Sequence, residues 1–253
     1  MRASRSVSFA SRSNGPHAIL VAIPARDEAS SIAACVQSVD RSAARLDVPT
    51  VVVVAADSCS DSTADVARAT AVHAVDLIVS EGQWCRAGAA RAAAVSLGLD
   101  AIEHPRCRTW IASTDADCVV PEDWLERHSG LAAAWAALAG TVELDPSSTP
   151  APLLAEFRVA YGPATGAHRH VHGANLGVWA DAYEHVGGWR TDIAVGEDHA
   201  LWHELRRAGM AVIHTARTTV VTSSRTRSRV HGGFASDLAT LALAHNALQG
   251  VSS

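Results

Sequence analysis

Two hydrophobic rhythms alternate along the chain. Nearly continuous apolar runs, at residues 17–25, 50–56, 76–80 and in the stretch Thr109 to Asp117, whose strand ends in the two carboxylates Asp115 and Asp117, are β-branched or bounded by turn formers and predict buried strands. Each leads into a segment of helical period. Ile32, Val36 and Val39 share one face of a first helix; Ser60 offers an N-cap for a second through Val66 and Ala69; Arg91 falls in a third that runs to Leu99; Pro121 stands near the start of a fourth. Strand followed by helix, repeated four times in about 120 residues, predicts a parallel sheet and an α/β class.

After Gly140 the pattern changes. Gly140 to Leu144 reads as a strand, Pro146 to Pro152 as a linker, and Leu153 to Tyr161 as a helix lying along the top of the sheet. A Gly/His-rich stretch follows, then a strand around Leu176 to Val178, a Gly187-Gly188-Trp189 turn, a helix opening at Gly196-Glu197-Asp198, and a strand near Val220 and Val221. On that helix Leu201, Leu205 and Ala208 form an inward stripe that turns Asp198 toward the sheet. The sheet's second half is therefore expected to be mixed. Residues 1–16, rich in Ser and Arg with no apolar period, read as a disordered leader.

At 253 residues the chain can bury one large α/β core. With 48% hydrophobic residues, 19% charged residues and a formal net charge of -5, it has neither a disordered composition nor the basic surface expected for nucleic acid. Its five cysteines are scattered without a C-x-x-C, which argues against a disulfide framework and for a reducing cytoplasm. No apolar run approaches the ~18 residues of a membrane span, so no integral membrane segment is expected.

The chemistry concentrates where apolar runs end. In an extended strand Asp115 and Asp117 would project to the same side, about 7 Å apart, and could share a hard cation such as Mg²⁺ or Mn²⁺ together with substrate phosphates. Asp is equally at home in turns, and that reading applies to Asp57 as well. Neither a G-x-G-x-x-G nor a P-loop is present. Small residues from Ala87 to Ala90 permit close backbone approach beside Arg91, whose guanidinium suits a phosphate or base but also an ordinary solvated helix face. Asp198 could be a base facing a cleft, or an acid that merely complements the helix dipole. His168-x-His170-x-His172 is read as polar loop rather than metal site. Arg225, Arg227 and Arg229 alternate before a Gly pair, as a mobile loop closing on a diphosphate would, with His231 as a weak extra metal ligand.

In order and spacing, Ile23-Pro24-Ala25-Arg26-Asp27-Glu28, Asp57-x-Ser-x-Asp61-x-Thr63, Gly88-Ala89-Ala90-Arg91, Thr114-Asp115-Ala116-Asp117 and Gly187-Gly188-Trp189 resemble the motifs of family 2 glycosyltransferases of the GT-A fold. Ala56 departs from the pattern, since many members carry a further Asp there. The resemblance spans roughly residues 17–235. It implies one GT-A domain, with residues 17–140 as the nucleotide-sugar-binding half and residues 141–253 as the acceptor-binding and catalytic half.

It further implies that Pro24, Ala25, Arg26 and Glu28 line the nucleoside, Asp57 meets the base, and Arg91, Asp115 and Ala116 face base, ribose or diphosphate. Asp117, with Asp115, would hold Mn²⁺ or Mg²⁺. His172, Gly173, Ala174, Asn175 and Gly196 become acceptor-side candidates, and Asp198, beside Glu197, the general base. The implied reaction is inverting transfer of a sugar, hexosyl in type, from a nucleotide-diphospho-sugar to a hydroxyl of a small-molecule, glycan or lipid-linked acceptor. A sugar nucleotidyltransferase would leave Gly196-Glu197-Asp198 unexplained, and a non-catalytic sugar-nucleotide-binding protein would not need Asp198.

Overall fold

In the computed structural model, which describes residues 15–161 and 168–223, the apolar runs become strands β1 (Ala18–Ala25), β2 (Thr50–Asp57), β3 (Asp76–Gly82) and β4 (Thr109–Ser113). The intervening helices are α1 (Ile32–Ala43), α2 (Thr63–Ala69) and α3 (Ala87–Ala101). The rest follows as β5 (Cys118–Val119), α4 (Trp124–Ala132), β6 (Ala137–Leu144), α5 (Ala151–Tyr161), β7 (Leu176–Trp179), α6 (Ala180–His185), α7 (Glu197–Arg207) and β8 (Val212–Thr222). Among the described residues eight strands form one sheet in the order β3-β2-β1-β4-β7-β6-β8-β5. β3, β2, β1 and β4 are mutually parallel, β7 runs antiparallel to β4 and β6, and β6 pairs parallel with β8. This is an α/β architecture on a mostly parallel sheet, with the mixed half on the side the sequence pattern indicates.

Covered on both faces, β1 and β2 have no need of polar alternation, and every residue of β2 is buried. Pro24 is tolerated near the end of β1 because the ladder with β4 stops at Ala22. Small residues bring α3 down onto the sheet: a Cβ on Gly98 would lie 2.1 Å from Leu20 Cδ1. Ile32, Val36 and Val39 of α1 are buried as their spacing predicts.

Several boundaries differ from expectation. The N-cap of α2 is Ser62, not Ser60, because Asp61 Oδ1 accepts the Thr63 N–H at 3.0 Å and starts the helix there. Pro121 belongs to a turn whose carbonyl accepts from Trp124 N at 3.0 Å, ahead of α4 rather than inside it. The linker ends at Pro150, since Pro152 occupies the first turn of α5, where its missing N–H has no helical partner to lose. On α7 the buried stripe is Leu201, Trp202 and Leu205; Ala208 is the exposed C-cap. No helix among the described residues is long and apolar enough to cross a membrane.

The mixed half contains one irregularity that organises its core. Ala139 pairs with His214 but Thr141 pairs with Thr219, so β8 bulges beside Gly140. Asn175 repairs the broken ladder: its Nδ2 donates to Thr141 O at 2.8 Å and to Thr218 O at 3.0 Å. Its Oδ1 accepts from Trp124 Nε1 at 2.9 Å and pairs with His128 Nε2 at 3.3 Å. Trp110 Nε1 donates to His128 Nδ1 at 3.2 Å, so His128 must carry its proton on Nε2. Burial pushes the His128 imidazole down to about 4, in keeping with a neutral ring.

Candidate active site

Two cavities open at the carboxyl ends of the parallel strands, where open α/β sheets bind ligands. The first, of about 210 Å³, gathers Pro24, Ala25, Arg26 and Glu28 after β1, Asp57 at the end of β2, Arg91 on α3, and Asp115, Ala116 and Asp117 after β4. All the described donor-side candidates thus line one space, joined by Cys85, Arg86, Ala87 and Ala90, which motif spacing did not single out.

Backbone strain concentrates around that space. Asp27, Ser58 and Cys85 adopt positive φ (51°, 52° and 59°), the only non-glycine residues to do so among those described. The loops are laced together: Ser60 N donates to Asp27 Oδ1 at 2.7 Å, Ala29 N to Asp61 Oδ2 at 3.1 Å, and Glu28 N to Thr63 Oγ1 at 2.7 Å. Asp27, Cys59 and Asp61 are close enough to share a cation, but their carboxylates already serve this lacing. Asp57 Oδ1 accepts from Trp84 N at 2.7 Å, Cys85 N at 2.8 Å and the Ser58 hydroxyl at 3.0 Å, and so fixes the loop before α3. Turn chemistry and cavity lining coexist in this one residue.

The carboxylate pair is arranged differently from the strand expectation. β4 ends at Ser113, and Cys118 N donates to Asp115 O at 3.0 Å, so Asp115 and Asp117 occupy a tight turn instead of alternate positions on an extended strand. Both still reach the cavity. Asp115 Oδ1 pairs with Arg91 Nη2, while Asp117 Oδ2 accepts from Ser223 Oγ at 2.8 Å. Although 36% of the Asp115 side chain is accessible, its depth below the surface pushes its carboxyl up to about 6, with Arg91 opposing and Asp117 adding.

Arg91 is almost completely buried. Nη1 pairs with Glu197, Nη2 with Asp115, and the guanidinium lies 5.3 Å from the Trp189 ring centroid. It fits only because Gly173 faces it: a Cβ there would lie 2.5 Å from the guanidinium carbon. The Gly-Gly-Trp turn therefore serves the site by placing Trp189 against Arg91.

The second cavity, of about 400 Å³, shares Ala87, Arg91 and Asp115 with the first. Gly196 caps α7 at φ 83°, and Asp198 in the first turn faces this space, accepting from Gly173 N at 3.0 Å and His199 N at 2.7 Å. Glu197, by contrast, is buried on Arg91. His172, Gly173, Ala174 and Gly196 all line the cavity. Asn175 does not: its side chain is fully buried and all its hydrogen-bonding capacity is used inside the core, so the acceptor-side expectation for it is corrected.

His172 is pushed down to about 4, chiefly by burial, and its Nε2 lies 3.1 Å from the Tyr161 hydroxyl. His168, His170 and His172 stack at centroid spacings of 5.9 and 5.8 Å, with Tyr161 4.2 Å from His170. The stack carries the chain past the cavity and does not converge as a ligand set. Arg225, Arg227, Arg229 and His231 lie outside the described residues.

Residues 20–148 match the family model described as Glycosyl transferase family 2. The chain belongs to glycosyltransferase family 2. Among solved structures, this family 2 chain is similar to S. aureus TarS 1-349 in complex with UDP-GlcNAc, with 13% identity, a TM-score of 0.58, and coverage of 87% of this chain and 60% of that one. It is similar also to the mannosyltransferase PcManGT from Pyrobaculum calidifontis in complex with GDP-Man and Mn²⁺, with 23% identity, a TM-score of 0.58, and coverage of 85% and 59%. At these identities the likeness is one of fold, and the chain spans about three fifths of the length of either structure. No curated protein sequence matches the chain.

Proposed function

We propose that this glycosyltransferase transfers a hexosyl group with inversion, from a nucleotide-diphospho-sugar to an acceptor hydroxyl. The observation that carries the reading is the common wall of the two cavities: Arg91 and Asp115 border both, with Asp117 on one side and Asp198 on the other. A donor in the first cavity and an acceptor in the second would meet across that wall. The complexes of neighbouring folds with UDP-GlcNAc and with GDP-Man support the donor class.

The donor set after β4 fits a divalent cation. It consists of hard carboxylate oxygens, and Asp117, with the Asp115 oxygen not engaged by Arg91, would hold Mn²⁺ or Mg²⁺. Such an ion supplies charge stabilisation to the departing nucleoside diphosphate. The Mn²⁺ in the PcManGT complex favours this assignment.

Asp198 is the general base of the proposal. The Gly173 and His199 N–H groups hold its carboxylate in the second cavity, oriented to take a hydroxyl proton as that oxygen attacks the anomeric carbon. A single displacement inverts the centre. Neutral His172 and Tyr161 shape the acceptor side, and Glu197 fixes Arg91 without itself reacting. All five cysteines are free thiols, which supports a reducing, cytoplasmic setting.

Calorimetry with UDP- and GDP-sugars, with Mn²⁺ or with EDTA, tests the donor site. Affinity should depend on the ion in the wild type and lose that dependence in Asp117→Ala. Asp198→Asn should keep donor affinity while turnover falls about 10²- to 10⁴-fold. Turnover near wild type in that variant would refute the assignment of the base.

A further inference from the structure

Next to the second cavity lies an open cleft of about 890 Å³, and Val171 and His199 line both. Three stretches of chain build it. α7 contributes His199, His203 and Arg206, spaced four and three residues apart and so on one face of the helix. The segment before the Gly173–Asn175 turn contributes Arg169 and Val171, and β8 contributes Val212 and His214. Trp202 Nε1 donates to His214 Nε2 at 3.1 Å, and His214 Nδ1 reaches His170 O at 3.1 Å, so both nitrogens of that ring are used and it serves as floor.

Charge in this cleft runs against the rest of the molecule. The chain as a whole carries a formal net charge of -5, yet no Asp or Glu lines the cleft among the described residues. Arg169 and Arg206 are exposed and have no carboxylate partner among those residues, whereas the neighbouring Arg207 is paired with Glu204 at 2.7 Å. Complementing the helix dipole does not account for the set. Arg206 shares the last turn of α7 with Arg207 and suits the helix's carboxyl end, but Arg169 lies outside that helix and the dipole gives no reason for it. Two guanidiniums without a carboxylate partner among the described residues, in a cleft that borders the space Asp198 faces, offer positive charge to an anion.

Resting on the acceptor reading above, we infer that the acceptor carries a phosphate group, held between Arg169 and Arg206 while its hydroxyl lies at Asp198. The test compares glycerol 1-phosphate with glycerol by calorimetry, on the wild-type chain and on an Arg169→Ala/Arg206→Ala variant whose melting temperature confirms folding. The phosphate ester should bind the wild type at least tenfold more tightly than glycerol does, with affinity falling as salt rises, and the double variant should lose that advantage. Equal binding of the ester by both proteins, or by neither, overturns the inference.

Phosphatidylcholine vesicles with and without phosphatidic acid separate the sources of the phosphate. Retention on the acidic vesicles that depends on both arginines assigns it to a lipid, and binding of the soluble ester alone assigns it to a water-soluble acceptor. Binding of UDP- and GDP-sugars is measured in parallel by calorimetry and should be unchanged in the double variant. Its absence from the wild type would count against the glycosyl-transfer reading while leaving the arginine-dependent phosphate binding to stand or fall by itself.

Discussion

Asn175→Ala separates a residue that holds the core from one that greets the acceptor. The substitution removes one side chain and strands three groups, the Trp124 and His128 ring N–H donors and the carbonyl of Thr141, while the Thr218 carbonyl keeps the Thr141 hydroxyl at 3.3 Å. Each buried group left without a partner costs about 1–3 kcal/mol, and a water entering the vacated space can rejoin some of them. Taking the low end for all three gives a loss of about 3 kcal/mol, a large share of the roughly 5–15 kcal/mol that stabilises a domain. Urea unfolding followed by tryptophan fluorescence should show a lower midpoint at unchanged slope. In the cold, where the variant remains folded, the acceptor KM should stay within about twofold of wild type, because a group outside the cavity contributes nothing to uniform substrate binding. A stability loss under about 1 kcal/mol combined with a tenfold rise in acceptor KM would refute the reasoning and return Asn175 to the acceptor site.

Arg91→Met should destabilise by about 3–5 kcal/mol, since it leaves Glu197 and Asp115 without their cation, and should weaken donor binding; a melting temperature near wild type would contradict this. Gly173→Ala forces a methyl against a guanidinium that two carboxylates hold in place, and should cost about 1–3 kcal/mol with a matching loss of turnover, read by thermal melting and initial rates. His128 titrates near 4 when folded and near 6.5 when unfolded, so the unfolded chain takes the proton first. Its contribution is complete above pH 6.5 and should fall by about 3 kcal/mol as pH drops toward 4. His128→Gln, which can still accept from Trp110 and donate to Asn175, should remove that part of the pH dependence of the urea midpoint.

The parallel half of the sheet was legible because its signals are local. Continuous apolar runs announced β1, β2 and β4, and the residues closing each run are the ones that line the first cavity. The Asp115–Asp117 turn was not legible, since strand periodicity carries no mark of where a ladder stops; only the pairing of β4 with β1 and β7 ends it at Ser113. Asn175 was misread for a related reason. Resemblance to a family motif gives its position in the chain but not its surroundings, whereas its partners lie 34 to 51 residues away in sequence and follow from a bulge in β8 that no pattern foretells. The stacked histidines before Gly173 likewise depend on Tyr161, which reaches them from another element.

Arg91 forms part of both cavity walls, with one hand on the turn after β4 and the other on the first residue of α7. A ligand that draws Asp115 toward itself changes the balance of forces on the guanidinium, and through it the set of Glu197 next to Asp198. With donor and acceptor in the two cavities as proposed, their binding would be thermodynamically coupled, and coupling is reciprocal: whatever factor the donor adds to acceptor affinity, the acceptor must return to donor affinity. The two substrates would bind as a conversation rather than as independent visits, with a single buried cation as interpreter.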